Sequence, residues 1–291
     1  VSTIVLLTVT GLGLGALYFL VASGLSLIYG LMGVLNFAHG SFLTLGAFAG
    51  WEFARRAGAD NWWTFLGSLL VGAVVGALFA AFTEFVLIRR LYERHIEQVL
   101  VTVGLSLASV ALFDGIWGTD TIHISGPAWF RETTGILGAQ IANDRFVAII
   151  AAVIVLLGLV FFLKRTRYGM IIRAGVESRS MVTALGIDVR KAFTLVFAIG
   201  GAAAGLGGVL ASHYFQYVSP LLGGSLLIFA FIVTVIGGLG SLTGAAIASV
   251  VVALLQQFAN FYLNGTGDFV VVVALALVLL FRPSGLLGRK S

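Results

Sequence analysis

Residues 192–267 read AFTLVFAIGGAAAGLGGVLASHYFQYVSPLLGGSLLIFAFIVTVIGGLGSLTGAAIASVVVALLQQFANFYLNGTG, 76 positions without one Asp, Glu, Lys or Arg. A helix needs roughly 20 apolar residues to cross a hydrocarbon core of about 30 Å, so this run has room for three crossings. The whole chain follows suit. Of its 291 residues 59% are hydrophobic and 10% charged, against roughly 45–50% and about 25% in soluble domains. Mean hydropathy is +1.08. So little charge cannot cover a water-exposed surface, and an ordinary soluble enzyme is excluded. The ten-residue alternation of an outer-membrane barrel is not visible. With 38 glycines and three prolines, the expected fold is all-α: a polytopic bundle packed through small residues.

Working outward, Val1–Trp51 is uncharged over enough length for two crossings, and 61–83, 98–113 and 146–163 are further apolar runs. A last run after Asp268 ends at Arg282 and is short enough that it should extend upstream through Asp268. The expectation is about eight or nine membrane segments in one domain over 1–291. Eight applies if the stretch around 30–50 is re-entrant, which would move the N-terminus to the other side. The first segment has no basic stretch before it and reads as a retained span rather than a secretory signal.

Basic residues set the orientation. Arg89, Arg90 and Arg94 form one cluster; Lys164, Arg165, Arg167, Arg173, Arg179, Arg190 and Lys191 a second; Arg282, Arg289 and Lys290 a third. Together they hold thirteen of the seventeen Lys and Arg residues and should face the cytoplasm. The net charge of +5 is thereby read as loop charge rather than a nucleic-acid surface. The segment 114–145, the loop 213–222 and the turn 264–268 are expected outside, and the C-terminus inside.

Pairs of glycines four apart, Gly11/Gly15, Gly72/Gly76, Gly201/Gly205 and Gly240/Gly244, are expected to bring helix backbones close. Chemistry is sparse. Cysteine is absent. Lys164, Lys191 and Lys290 follow Leu163, Arg190 and Arg289, so the Gly-Lys-Ser/Thr of a nucleotide-binding P-loop does not occur. The four histidines have neither i,i+4 spacing nor a carboxylate companion, and no metal site, catalytic residue or cofactor is assigned to this chain. Glu84 and Asp114 lie near segment ends, where capping, snorkelling or a pair with Arg89 or Arg90 accounts for them better than a coupling-ion role. A transport protein of this composition must take its energy from a partner.

Polar groups inside a bilayer are costly unless paired or lining a cavity. Asn36 and His39, three apart on an expected common helix face, and Ser23 and Ser26, ending near Tyr29, are the candidate pathway residues. The alternative for Asn36 and His39 is bonding between helices purely for packing. The glycine breaks at 30–33 and 237–244 could frame a route between them.

The 164–191 loop carries a second candidate set. Ala174, Met181, Val182, Ala184, Leu185 and Ile187 alternate with Glu177, Ser178, Arg179 and Ser180, and Gly186 would end a short helix before Asp188. Such an amphipathic helix fits a groove on another subunit or the lipid headgroup layer; the pattern alone does not choose.

The motifs of this loop, Arg165-Thr-Arg167-Tyr168-Gly169, Arg173-Ala174 and Thr183-Ala184-Leu185-Gly186-Ile187-Asp188, resemble the ATPase-contacting loop of the branched-chain amino acid permeases of ABC importers, on the LivH-like side of the LivH/LivM family. Met181 or Val182 stands where the family usually has a second alanine. Three further stretches are similar in order: Tyr29–Gly40, Val235–Gly244 and the tail Arg282–Gly288. The resemblance implies an ABC importer permease fold in the bacterial inner membrane. It also implies a second, LivM-like permease, two cytoplasmic ABC ATPases that hold ATP and Mg, and a periplasmic solute-binding protein. It implies an ATPase-docking role for Glu177, Ser178, Arg179, Ser180, Met181, Ala184, Leu185, Gly186, Ile187 and Asp188. The cargo would be a small neutral or zwitterionic solute, branched-chain or other neutral amino acids first, urea or short-chain amides as the alternative. A stand-alone channel is the competing class, and a membrane scaffold a third.

Overall fold

The computed structural model describes residues 1–33, 35–58, 60–92, 94–177 and 189–288. In chain order the helices are α1 (Ser2–Met32), α2 (His39–Ala57), α3 (Trp62–Val86), α4 (His95–Trp117), α5 (Asp144–Arg165), α6 (Arg167–Glu177), α7 (Val189–Phe215), α8 (Leu222–Gly237), α9 (Leu242–Tyr262) and α10 (Gly267–Phe281). Among the described residues six helices are long and apolar enough to cross a membrane: α1, α3, α4, α5, α7 and α9. Adding α2 and the shorter apolar helices α8 and α10 gives nine segments, within the expected range. The last helix does extend upstream, starting at Gly267.

Local chemistry explains the boundaries. Gly33 ends α1 in the left-handed region at φ 65°, its N–H donating to the Tyr29 carbonyl at 2.8 Å, a conformation glycine adopts without a Cβ penalty. Asn61 Oδ1 accepts from Thr64 N at 2.9 Å and caps α3; Ser241 Oγ accepts from Gly244 N at 3.1 Å and caps α9. Each satisfies an otherwise unpaired first-turn amide.

Two features depart from expectation. The 114–145 segment is not featureless: β2 (Thr133–Ile136) and β3 (Ala139–Ala142) form an antiparallel hairpin, with Leu137 and Gly138 both at positive φ in the turn, as two-residue hairpin turns require. Its β1 (Ile122–His123) pairs antiparallel with β4 (Tyr217–Val218). The segments 114–145 and 213–222 are therefore joined at one end of the bundle. The second departure concerns α1, which runs unbroken through Gly30. Its break falls only at Gly33, and the chain then turns back into the bundle. His39, the first residue of α2, reaches the carbonyl of Val21 at 3.1 Å. Val21 lies eleven residues before the end of α1, about 16 Å along its axis. The link is re-entrant, yet the N-terminus stays with the hairpin end: Tyr214 donates to the Thr10 carbonyl at 3.2 Å, and a Cβ on Gly138 would stand 3.7 Å from Ser2. The alternative with the N-terminus opposite that loop is thereby corrected.

The core forms where α7 meets α1, α2 and α3. A Cβ on Gly205 would lie 2.1 Å from the Gly72 carbonyl oxygen, and one on Gly201 2.4 Å from that of Gly76. On the neighbouring faces, a Cβ on Gly46 would stand 2.4 Å from Gly205 Cα, and one on Gly24 2.5 Å from the Gly200 carbonyl. The expected pairs 72/76 and 201/205 are thus two halves of one contact. Gly240/Gly244 is not a helical pair: Gly240 sits in a turn at φ 80°, and Gly244 packs against Gly237. The outer helices α4 and α5 are mostly exposed and apolar, with Leu100, Leu107, Ile154 and Phe161 each more than 60% exposed, as a lipid-facing surface should be.

Replacing Gly205 by alanine is expected to cost about 1–3 kcal/mol or to block folding outright, because both colliding atoms are backbone. Gly104→Ala on α4, where a Cβ meets nothing within 4 Å, should be neutral or stabilise by up to about 1 kcal/mol through helix propensity. Thermal unfolding of both variants in detergent checks the contrast; equal stabilities would refute the close-approach account.

Candidate functional site

At the end of the bundle away from the hairpin lies a cavity of about 650 Å³. Its wall is assembled from five separate stretches of chain. Ser26, Tyr29, Gly30 and Gly33 come from α1 and its C-cap; Leu163 from the end of α5; Ile172 and Arg173 from α6; Leu239, Gly240 and Ser241 from the α8–α9 turn; Leu287 from the tail. The geometry of each piece follows from its sequence. Gly30 and Gly240 lack side chains where α1 passes the turn, and a Cβ on Gly240 would stand 3.0 Å from Gly30 Cα. Gly238 and Gly240, at φ 103° and 80°, let the chain reverse within four residues. The tail then folds back: Leu286 N donates to the Ile236 carbonyl at 2.8 Å and Leu287 N to the Gly237 carbonyl at 3.1 Å. These are terminal carbonyls of α8, which have no partner inside their own helix. Gly285, at φ 77°, makes that return possible against Gly238.

The structure separates the candidate pathway residues. Ser26 and Tyr29 line the cavity, and Ser26 Oγ is buried without a hydrogen-bond partner among the described residues. Ser23 lies outside that lining, its Oγ donating to the Leu20 carbonyl at 2.9 Å. Asn36 and His39 do not share a helix face, since Asn36 precedes α2 in the re-entrant link. Its Oδ1 accepts from Ala38 N at 3.0 Å, the local turn bond that asparagine offers more readily than a helical position. It also borders a void of about 10 Å³ with Ile28, Gln98 and Thr102. His39 is fully buried and donates Nε2–H to the Val21 carbonyl, with its ring edge-on to Phe42 at 5.6 Å; that bond fixes the tautomer.

Of the docking candidates, Glu177 is the last residue of α6. Ser178, Arg179, Ser180, Met181, Ala184, Leu185, Gly186, Ile187 and Asp188 lie outside the described residues.

Sequence reasoning missed the inward face of α6. Arg173 was visible only as loop charge, although it stands in the Arg173-Ala174 motif, and the fold turns it onto the cavity wall. It also undervalued Glu84. That carboxylate is fully buried and neither snorkels nor caps. Arg89 donates to it at 3.2 and 3.3 Å, Thr194 at 2.6 Å, and Tyr92 also donates to it. Arg89 donates in turn to Thr194 Oγ at 2.7 Å. The expected Glu84–Arg89 pair is therefore the centre of a cluster that ties the end of α3 to the start of α7. Outside the spans, burial and the Glu84 hydrogen bond push the Tyr92 phenol up, and the same carboxylate raises the Arg89 guanidinium. A buried ion pair held by extra hydrogen bonds is costly to break from one side.

Known permeases resemble this chain over nearly its whole length. The chain is 29% identical to the high-affinity branched-chain amino acid transport system permease protein LivH of Escherichia coli, over 97% of this chain and 94% of that protein. It is 28% identical to BraD of Pseudomonas aeruginosa, a permease protein of the same description, over 97% and 95%. A probable LivH of Methanocaldococcus jannaschii matches at 26% over 92% and 88%. The family model described as branched-chain amino acid transport system / permease component matches residues 7–281, nearly the whole bundle and every part of the cavity lining except Leu287 of the tail, and the chain belongs to that family of multi-pass membrane permeases.

Proposed function

We propose that the chain is one permease subunit of an ATP-driven ABC importer of the bacterial inner membrane, moving branched-chain or other neutral amino acids inward. The observation that carries this reading is the convergence of the motif-bearing stretches 29–33, 165–173, 238–241 and 286–288. They are scattered over the sequence but close around a single cavity, at the end of the bundle that holds the basic loop. Cargo leaving the bundle there would pass Ser26 and Tyr29, while Asn36 and His39 hold the re-entrant link behind the wall and Ser23 bonds back within α1. A second, LivM-like permease would pack on the apolar outer helices, and two ATPases carrying ATP and Mg would engage residues 177–188. A solute-binding protein would deliver cargo at the hairpin end. The bundle in hand has no nucleotide-binding sequence of its own, which is why the energy is assigned to partners.

Proteoliposomes holding this chain with its sister permease and ATPases should accumulate radiolabelled leucine only with ATP on the ATPase side and the loaded binding protein on the other. Accumulation by this chain alone without nucleotide would replace the reading with a stand-alone facilitator. Uptake of urea or short amides in preference to leucine would move the cargo but keep the machine.

Orientation has its own test, because the chain has no cysteine and each introduced thiol is unique. Gln140→Cys, on the exposed hairpin, should be labelled by a membrane-impermeant maleimide in intact spheroplasts. Ser180→Cys should be labelled only in inverted vesicles. The opposite pattern would place the 164–191 loop outside and refute ATPase docking there.

A further inference from the structure

The cavity lining combines two chemistries. Leu27, Leu163, Ile172, Leu239 and Leu287 supply aliphatic surface. The same lining holds Ser26, whose buried hydroxyl has no partner among the described residues, Arg173, and Ser241 at the opening of the 21-residue helix α9. The N-terminus of such a helix carries about half a positive charge and attracts anions through its first-turn amides. No acidic side chain is among the described residues that line the cavity. Its volume lies within the roughly 300–1,000 Å³ of small-molecule sites. A lining of aliphatic side chains together with an arginine, a free hydroxyl and a helix N-terminus fits a solute with a branched apolar body and a carboxylate.

We propose that this cavity is a low-affinity exit site for the α-carboxylate of the cargo. Ser26 Oγ–H and the α9 N-terminus donate to it, Arg173 supplies the countercharge, and the aliphatic side chain lies on Leu27 and Ile172. This rests on the reading of the chain as an amino-acid permease and adds to it which end of the cargo is held, and where.

The test is direct binding to the assembled, nucleotide-free complex in phosphatidylcholine nanodiscs, without binding protein, using labelled leucine and leucinamide. Leucine should bind at least about tenfold more tightly than leucinamide, which keeps the apolar body but loses the carboxylate; one hydrogen bond to a charged group is worth about that factor. Ser26→Ala and Arg173→Gln should each weaken leucine about tenfold and leave leucinamide unchanged. Arg173→Lys should recover most of the loss. Equal binding of the two probes, or variants that bind leucine like the wild type, would overturn the proposal. So would loss of leucine binding on adding phosphatidylglycerol with no effect of the variants on leucine, which would make the polar groups a lipid-phosphate site. The broader reading is scored separately by ATP-driven leucine uptake of the wild-type complex. If uptake occurs and the variants bind normally, only the exit site falls; if uptake is absent, the permease reading itself falls.

Discussion

The bundle depends on the contact of glycine backbones along α7 with those of α1, α2 and α3. In lipid the hydrophobic effect does not drive one apolar helix onto another, so association rests on van der Waals contact and on backbone groups approaching closely. At Gly205 and Gly72 that approach leaves no room for even one methyl group. Because α7 is held on three sides, α2 can begin deep in the bundle at His39 instead of at a membrane surface. The price is a link of irregular backbone at membrane depth. Irregular backbone is tolerated there only where it is enclosed by protein, and Asn36 and His39 supply part of the satisfaction by bonding Ala38 N and the Val21 carbonyl.

This explains which parts of the fold were legible in the sequence. The uncharged run 192–267, the basic clusters and the 72/76 and 201/205 glycine spacings are one-dimensional signals, and they gave spans, ends and the main helix contact. The re-entrant link was not legible in detail, because a charge-free stretch such as 1–51 reads equally as two crossings or one and a half. The hairpin at 133–142 was lost for the opposite reason: its strands are four residues each, too short for alternation to register against a helical background. Gly240/Gly244 misled because spacing alone does not say whether both residues lie on a helix, and the positive φ of Gly240 is invisible until the turn is seen.

The site divides in the same way. Ser26 and Tyr29 stood out as polar groups on an apolar helix, and both line the cavity. Asn36 and His39 stood out for the same reason but serve the backbone of the link, since a polar side chain in lipid is retained equally well by a cavity or by an unpaired carbonyl. Arg173 could not be singled out: it is one of seven basic residues in one loop, and only the packing of α6 against α1, α5 and α7 puts it on the cavity lining.

The position of α6 and α7 bears on how a device without its own energy source could be driven. Residues 178–188 join these two helices directly. One of them supplies Arg173 to the cavity wall, and the other is the helix on which the glycine core is built. The second turn of α7 carries Thr194, bonded to the buried Glu84 and to Arg89, and through Glu84 to Tyr92. The loop therefore joins a helix that lines the cavity to one held by the buried Glu84 cluster. Since packed interiors change by discrete rearrangement rather than smooth deformation, a displacement of α7 would have to carry the Glu84 cluster with it or break it.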